Sequence, residues 1–244
     1  MCRMIFAVGK INVGCLIDDF ITLASDQNEK HEKNIDKEFK HGDGWGIAYL
    51  ENNEFKIFRS PNAVYEDSQI YQFKNLTTNF LVLHARKASK GDVVLENVHP
   101  FEQKINNRHY LFIHNGTIRD DLIFDDQFQL ISTTDSERLF YFILSNTNGQ
   151  MTGKTLRSSL IEIKDFTAAN FILTDGGTTY ASTWYAENPN YYNLKMMRKQ
   201  EMVVIASEVL PHYRAEDWRK LSNQDIVSVR TADLGVNKGR ADEF

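Results

Sequence analysis

The chain has 244 residues, and its 28 Lys and Arg residues against 33 Asp and Glu residues give a formal net charge of −5. Hydrophobic residues make up 42% of the chain and Pro is sparse, so a disordered, collagen-like or mucin-like chain is excluded. The mildly acidic balance lacks the basic excess of a protein that binds nucleic acid or an anionic membrane. We therefore expect neither as a partner.

The two cysteines, Cys2 and Cys15, could form at most one disulfide, which is typical of a reducing compartment. The apolar run at residues 4–9 is shorter than the roughly 7–15 residues of a signal-peptide core. No stretch approaches the ~18 apolar residues of a membrane span. We expect a cytoplasmic protein.

In the N-terminal half, short apolar runs alternate with turn signals. The predicted strands are residues 3–8, 45–50, 55–59, 80–84 and 110–114, with residues 51–54 as a hairpin turn. Helical spacing occurs at residues 16–24 and 64–73. The mixed-charge stretch at residues 25–40 is interpreted as a solvated helix or a loop.

In the C-terminal half, two predicted helices, residues 136–146 and 156–163, come before a second group of strands. Those strands are residues 169–174, 178–185, 191–197, 202–207 and 226–229. This order predicts an α+β architecture with helices packed on antiparallel sheets. No repeat or linker interrupts the chain, which favours a single domain over residues 2–244.

Two common kinds of site are discounted. The glycine-rich segment 42–46 precedes a strand, whereas a phosphate-binding loop opens a helix, so a tight turn or backbone that approaches a ligand is the better interpretation. The seven histidines lack metal-ligand spacing, so no metal site is predicted.

Cys2 is a candidate nucleophile. Removal of Met1, which is usual before a small residue, would place the Cys2 thiol beside its own α-amine. That amine has an ordinary pKa of about 7.7–8.0 and can accept the thiol proton without a separate histidine. The alternative is an incidental cysteine in a start sequence.

Three further residue groups favour catalysis only in combination. Asn115-Gly116 is a strong hairpin signal, but an Asn side-chain amide and a Gly N–H can also stabilise an oxyanion. Arg86 suits a substrate carboxylate or a surface ion pair. Asp135, beside a Thr134/Glu137 capping pattern, suits a substrate ammonium or the helix dipole.

Six short motifs occur in a fixed order along the chain. They are Cys2, Gly44-Trp45-Gly46, His84-Ala85-Arg86, Asn97-Val98-His99-Pro100-Phe101, His114-Asn115-Gly116 and Thr134-Asp135-Ser136-Glu137. In this order the motifs resemble the class II glutamine amidotransferases, which are N-terminal nucleophile hydrolases, and especially their short stand-alone branch. The resemblance covers about residues 2–210, including Ala206-Ser207-Glu208.

The resemblance implies a four-layer αββα sandwich and a glutaminase-type enzyme without a cofactor or metal. Cys2 matches the nucleophile, Asn115 and Gly116 match the oxyanion hole, Arg86 matches the residue that binds the α-carboxylate, and Asp135 matches the one that binds the α-ammonium. Trp45 and Gly46 fall in the same substrate-binding region. Arg3, after the nucleophile, is expected to be structural. The reaction implied is cleavage of a γ-glutamyl amide through a thioester, with release of ammonia and glutamate.

One segment departs from the pattern of the synthase-coupled members. Those members commonly continue after the arginine with Trp-Ala-Thr-His-Gly, whereas Arg86 is followed by Lys87-Ala88-Ser89-Lys90-Gly91. The hydroxyl is kept at Ser89, but the aromatic ring and the imidazole are absent. A γ-glutamyl amide hydrolase that acts on a modified or peptide-like substrate is therefore an alternative.

Two further hypotheses stay open. A non-catalytic or conditionally active subunit would keep the pocket but work only with a partner, and retention of Met1 would remove the amine base. A redox protein would use Cys2 and Cys15, although their spacing lacks a resolving motif. The 244 residues leave no room for a second catalytic domain, so we expect either outright hydrolysis or delivery of ammonia to a separate synthase chain.

Overall fold

A computed structural model of the protein describes residues 2–105 and 107–239. Its strands, in chain order, are β1 (Arg3–Gly9), β2 (Trp45–Glu51), β3 (Glu54–Ser60), β4 (Phe80–Ala85), β5 (Phe101–Ile105), β6 (Arg108–Ile118), β7 (Phe166–Thr174), β8 (Thr178–Thr183), β9 (Lys195–Lys199), β10 (Met202–Ala206), β11 (Trp218–Lys220), β12 (Asp225–Arg230) and β13 (Val236–Gly239). The helices are α1 (Val13–Ala24), α2 (Asp135–Thr147), α3 (Gly153–Glu162) and the short α4 (Pro189–Tyr192), with 3₁₀ turns at Ser68–Phe73, Leu95–Asn97 and Pro211–Tyr213.

The strands form two antiparallel sheets. The first has the order β11-β9-β10-β1-β4-β2-β3, and the second has the order β13-β12-β8-β7-β6-β5. The first strand of the chain, β1, therefore lies in the middle of its sheet, between β10 and β4. The residue that precedes it is held by a central strand and not by a free end.

Three apolar clusters separate four layers. One lies between α1 and the outer face of the first sheet and contains Ile5 and Phe20. The second lies between the two sheets and contains Phe6 and Ile113. The third, around Phe140, lies between the second sheet and α2 and α3. Successive residues of β1 enter opposite faces, both of which are covered, which explains the apolar run at residues 4–8. The architecture is the predicted α+β, four-layer αββα sandwich.

Most predicted elements are present, with two exceptions. The helix predicted at residues 64–73 is reduced to the 3₁₀ turn Ser68–Phe73, and the strand predicted at residues 191–197 is divided between α4 and β9. The polar stretch at residues 25–40 contains neither helix nor strand. The predicted domain, residues 2–244, extends at its C-terminal end past the described residues.

Within residues 2–105 and 107–239, no helix has the length and apolarity needed to cross a membrane. The same part of the chain holds no group of three or more His, Cys, Asp or Glu side chains arranged to bind a metal ion. Both cysteines are free thiols, with Cys2 buried and Cys15 partly exposed.

Candidate active site

Cys2 lies where the two sheets meet at one end of the sandwich. It directly precedes β1, whose Arg3 is paired with Ala85 of β4. Its backbone nitrogen donates a hydrogen bond of 2.7 Å to Oδ1 of Asn115, which belongs to β6 in the other sheet. Cys2 is 5% exposed and Asn115 is 1% exposed, so the structure brings these two predicted residues together in a buried position.

One polar atom of the Asn115 side-chain amide is hydrogen-bonded, and the other has no partner among the described residues. Because a backbone N–H of Cys2 faces the side chain, the atom that accepts must be the oxygen. The remaining Nδ2 is buried and has no hydrogen-bond partner among the described residues. Such an orphaned donor costs about 1–3 kcal/mol in a folded protein. It is available to an oxygen atom of a bound substrate.

Asn115 and Gly116 lie inside a strand and not in a hairpin turn. β6 continues through both residues and pairs them with Asn170 and Ala169 of β7. A side chain at Gly116 would meet the carbonyl oxygen of Ala168 at 1.7 Å, so only glycine fits. The Asn-Gly turn signal is therefore overridden by the sheet, and the glycine serves a close approach between strands.

Arg86 follows β4, and its guanidinium is hydrogen-bonded to carbonyl groups of the adjacent loop. It is 3% exposed, and its guanidinium donates to the carbonyl oxygens of Lys90 at 2.7 Å, Asp92 at 3.0 Å and Gly91 at 3.1 Å. The predicted contact with a substrate carboxylate would replace some of these carbonyl groups. Segment 87–92 therefore closes over this position in the structure.

Asp135 begins α2, as the capping pattern predicts. Its Oδ2 accepts from the Ile118 N–H at 2.6 Å, and the preceding Thr134 caps the helix by accepting from the N–H of Glu137 at 3.3 Å. The reciprocal half of the capping box is absent. The Glu137 carboxylate instead accepts from the backbone N–H groups of Ile131 and Ser132.

Trp45 and Gly46 support the site from two faces of β2. The indole of Trp45 is fully buried in the cluster on the helix side of the sheet, and its Nε1 donates to Asp67 at 3.0 Å. Cys2 shares the opposite face with Met4, so the indole does not reach the thiol. A side chain at Gly46 would meet the carbonyl oxygen of His99 at 2.0 Å. Gly46 therefore admits the His99–Pro100 backbone to the sheet.

A cluster of buried histidines includes His84, which interacts with the Cys2 thiol, and the sequence alone predicts no catalytic role for this cluster. Nε2 of His84 lies 3.1 Å from the backbone oxygen of His114, and the rings of His84 and His99 have centroids 4.0 Å apart. Both ring nitrogens of His99 and Nδ1 of His84 are buried without a partner among the described residues. One signal points to this cluster, because His84 falls on the same alternating face of its strand as the inter-sheet residue Val82.

The thiol of Cys2 lies in an environment that favours its ionised form. Burial raises the pKa of Cys2, but the positive N-terminus and the His84 imidazole lower it, and the result is about 6. Burial lowers the pKa of His99 well below its ordinary value and that of His114 to about 4. These two imidazoles are therefore neutral at neutral pH.

Arg3 is completely buried and anchors the start of β1. It forms an ion pair with Glu208, and its guanidinium lies 4.7 Å from the ring centroid of Tyr191. The Tyr191 hydroxyl donates a hydrogen bond of 3.4 Å to the Cys2 carbonyl oxygen. Burial raises the pKa of Glu208, yet the charge of Arg3 brings it down to about 2. Arg3 thus holds Cys2 in place through its neighbours.

Comparison with known proteins gives the family. The family described as "Glutamine amidotransferases class-II" matches residues 28–188. YafJ of Escherichia coli K12, named as a candidate glutamine amidotransferase, is 26% identical over 189 residues, covering 70% of this chain and 74% of YafJ. MJ1515 of Methanocaldococcus jannaschii, named only as an uncharacterized protein, is 24% identical over 226 residues. That match covers 80% of this chain but 62% of MJ1515, so the chain spans less than two thirds of that relative.

A solved structure shares the fold. The glutamine phosphoribosylpyrophosphate amidotransferase of B. subtilis, solved with ADP and GMP, superposes with a TM-score of 0.70 at 16% identity. The superposition covers 99% of this chain and 50% of that enzyme. Since the family match spans more than half of the sequence and the sandwich is the same, the chain belongs to the class II glutamine amidotransferases.

Proposed function

We propose that this protein is an enzyme that cleaves a γ-glutamyl amide, with glutamine as the simplest substrate, through attack by Cys2. The observation that carries this proposal is that the two polar atoms of the Asn115 side chain have different roles. Its Oδ1 holds the nitrogen of Cys2, and its Nδ2 is buried without a partner among the described residues, beside the same cysteine. One side chain thus orients the nucleophile and offers a donor to the oxyanion that the attack creates. The chain is proposed to be a single glutaminase-type domain.

The nitrogen of Cys2 is proposed to become the general base. After removal of Met1, the atom that donates to Asn115 Oδ1 is an α-amine, whose lone pair remains available to the thiol proton. The hydrogen bond to Asn115 would fix that lone pair beside the sulfur. Geometry of this kind would let Cys2 supply its own base.

The proposed reaction proceeds in two stages. The sulfur of Cys2 attacks the γ-carboxamide carbon, and the amide Nδ2 of Asn115 and the N–H of Gly116 stabilise the tetrahedral oxyanion. The α-amine passes the thiol proton to the leaving nitrogen, and ammonia departs from a γ-glutamyl thioester. Water then hydrolyses the thioester to glutamate and regenerates the thiol. No cofactor or metal takes part.

Substrate orientation is assigned to two charges at the same end of the sandwich. Arg86 would bind the α-carboxylate of the γ-glutamyl group, and Asp135 would bind its α-ammonium through the carboxylate oxygen that does not accept from Ile118. Trp45 and Gly46 act on the substrate only by supporting these elements. A fixed cation and a fixed anion place the γ-amide over the thiol.

A conditionally active enzyme is a second candidate, and the loop around Arg86 favours it. Three carbonyl groups of residues 90–92 already occupy the guanidinium, so the carboxylate site must be opened before substrate binds. A separate ammonia-accepting synthase that displaces segment 87–92 would switch on hydrolysis. A peptide-like γ-glutamyl substrate that displaces it unaided would not need such a partner.

Covalent labelling tests the proposal. The protein is incubated with an electrophilic analogue of glutamine, and the adduct is located by peptide mapping. We expect a single adduct on Cys2 in the wild type and in the Cys15→Ala control, and no adduct in Cys2→Ala. Intact mass should at the same time show the loss of Met1. Labelling of Cys15 alone, or no labelling with any γ-glutamyl analogue, would contradict the proposal.

A further inference from the structure

We propose that His84 is a second proton acceptor for the Cys2 thiol, oriented by the His114 carbonyl group and by the His99 ring. This inference rests on the proposed role of Cys2 as the nucleophile. It differs from that role in one respect, because His84 is present whether or not Met1 has been removed. The thiol would then be activated in both forms of the chain.

Strand register places His84 beside Cys2. Met4 of β1 is paired with His84 of β4, and Arg3 is paired with Ala85. Cys2 is two residues before Met4 and therefore on the same face, one step diagonally from His84. Diagonal neighbours on one face lie roughly 7 Å apart, which is within reach of an imidazole. The interaction of His84 with the Cys2 thiol is strong enough to lower the pKa of that thiol.

The hydrogen bond of His84 selects its tautomer. Nε2 lies 3.1 Å from the backbone oxygen of His114, and a carbonyl oxygen can only accept. Nε2 of the neutral ring must therefore carry the proton, and Nδ1 must carry the lone pair. Nδ1 is buried and has no partner among the described residues. The ring thus has its proton-accepting atom free in a buried site that contains a thiol.

The His99 ring holds His84 in this orientation. The two ring centroids lie 4.0 Å apart with the planes tilted by 37°, and His99 also contacts Phe101 with centroids 4.6 Å apart. This contact requires glycine opposite His84. Gly46 is paired with His84, and the carbonyl oxygen of His99 occupies the space that a side chain at Gly46 would need. A small residue in β2 therefore positions the imidazole in β4.

The other titratable groups around Cys2 and His84 do not compete with His84 for the thiol proton. Burial lowers the pKa of His41, His99 and His114, and it raises the pKa of Tyr191. These groups are neutral at neutral pH. The charged groups nearby are Arg3, Arg86, Lys87, Asp135 and the N-terminus. The positive charges favour the thiolate form of Cys2. Asp135 favours the protonated form of an imidazole near its own carboxylate.

The proton transfer is balanced within the protein. The S–H bond of Cys2 breaks, its electron pair stays on sulfur, and the proton forms a bond with Nδ1 of His84. The thiolate then attacks the γ-carboxamide carbon. When the C–N bond of the tetrahedral intermediate breaks, the proton leaves His84 and completes the ammonia molecule. As far as the γ-glutamyl thioester, no reactant beyond the γ-glutamyl amide is needed, and water then regenerates the thiol.

Alkylation of the thiol as a function of pH tests the inference without measuring turnover. In a Cys15→Ala background, where Cys2 is the only cysteine, the rate with iodoacetamide is followed between about pH 5 and pH 9, which spans a lowered and an ordinary thiol pKa. We expect His84→Gln to shift the midpoint upward by about one unit or more. The rate at low pH should then fall about tenfold per unit.

The matched control is His109→Gln, a partly exposed histidine at the far end of the sheets that bonds Glu102. It should leave the alkylation midpoint unchanged. An unchanged midpoint in a folded His84→Gln protein would overturn the role of His84 and leave the Cys2 mechanism intact. Loss of analogue labelling in the wild type would instead overturn the role of Cys2 itself.

A second measurement covers the case in which His84→Gln does not fold. Nitrogen-15 NMR of the histidine rings is compared between the wild type and Cys2→Ser. Because an imidazole that takes up the thiol proton changes its ring nitrogen shifts, we expect the nitrogen-15 shifts of His84 at neutral pH to differ between the two proteins. Identical His84 shifts in the two proteins would overturn the inference, whatever the activity.

Discussion

The two ends of the sandwich use their polar groups in opposite ways. At the far end, hairpin turns surround an open cavity of about 920 Å³ lined by Lys104, Arg108, His109 and Asp175, among others. None of the described residues that line it has a buried polar side-chain atom without a partner. At the other end, Cys2 is buried, and Asn115, His84 and His99 each keep such an atom.

An open cavity and a group of buried polar atoms without partners are therefore different kinds of feature. An open cleft can arise wherever hairpins splay apart, and water satisfies its polar groups at little cost. Buried atoms without partners are different, because each costs about 1–3 kcal/mol of folding stability. A protein retains several of them in one place where a ligand supplies the missing partners. We therefore expect the proposed chemistry at the closed end.

Replacement of the proposed nucleophile should give the largest difference between the two ends. Cys2→Ala is expected to reduce hydrolysis of γ-glutamyl amides to background, because Cys15, the second cysteine of the chain, lies outside the site on α1. The fold should be retained, since the change removes one buried sulfur atom. Ammonia release and circular dichroism measure the two effects. Residual hydrolysis at a substantial fraction of the wild-type rate would move the reaction away from this end.

Replacement of the proposed oxyanion donor should have the next largest effect. Asn115→Ala should lower kcat by about 10²–10³-fold, the usual cost of removing one such donor. KM should change much less, because the donor acts on the transition state. Steady-state kinetics with one γ-glutamyl amide measure both constants. A loss confined to KM would indicate that Asn115 only binds substrate.

The ion pairs of the two ends should differ in their contribution to stability. Glu208→Gln leaves Arg3 buried without its counter-charge and should lower the free energy of unfolding by about 3–5 kcal/mol. The control is Asp233→Asn, which breaks an exposed pair with Arg230 and should have a much smaller effect. Urea denaturation compares the two variants. Similar losses would mean that Arg3 does not depend on Glu208.

The same pair predicts a direction with pH. The folded pKa of Glu208 lies below its ordinary value, at about 2. Its contribution to stability is therefore complete above the unfolded pKa of about 4.3 and is lost as the pH falls from there towards 2. In Glu208→Gln this part of the acid dependence should be absent.

A substitution in the far cavity should have little effect on activity. Lys104→Ala removes an exposed cation from its wall and should change kcat/KM by no more than about twofold. Kinetics with the same γ-glutamyl amide measure the change. A large loss of activity would show that both ends of the sandwich serve the reaction.

The sequence predicted the layers better than it predicted the details of the site. Apolar strands such as β1 and β4 are recognisable because both of their faces are covered. The strands β11 and β13 are short and polar and lie at sheet edges, so no apolar run marks them. The segment at residues 64–73 has helical spacing, but only a 3₁₀ turn forms there.

In the candidate site, motif order singled out residues but did not predict how they contact one another. The bond between Cys2 and Asn115 joins residues 113 positions apart in different sheets, and only the packing of the two sheets creates it. The contact of His84 with His99 depends on the absence of a side chain at Gly46. The carbonyl groups that bind the Arg86 guanidinium are placed by the backbone conformation of the adjacent loop, which amino-acid composition does not predict.

The central position of β1 has a consequence for biosynthesis. Ile5 is paired with Ala206 of β10, so β1 has to wait for a strand made much later in synthesis before the two can pair. Until then the residues of β1 lack the cover that β10 gives them. An aminopeptidase would have that interval to remove Met1, as the proposed mechanism requires. Once β10 docks, β1 and the adjoining Cys2 are enclosed, so chain topology would set the time available for this maturation.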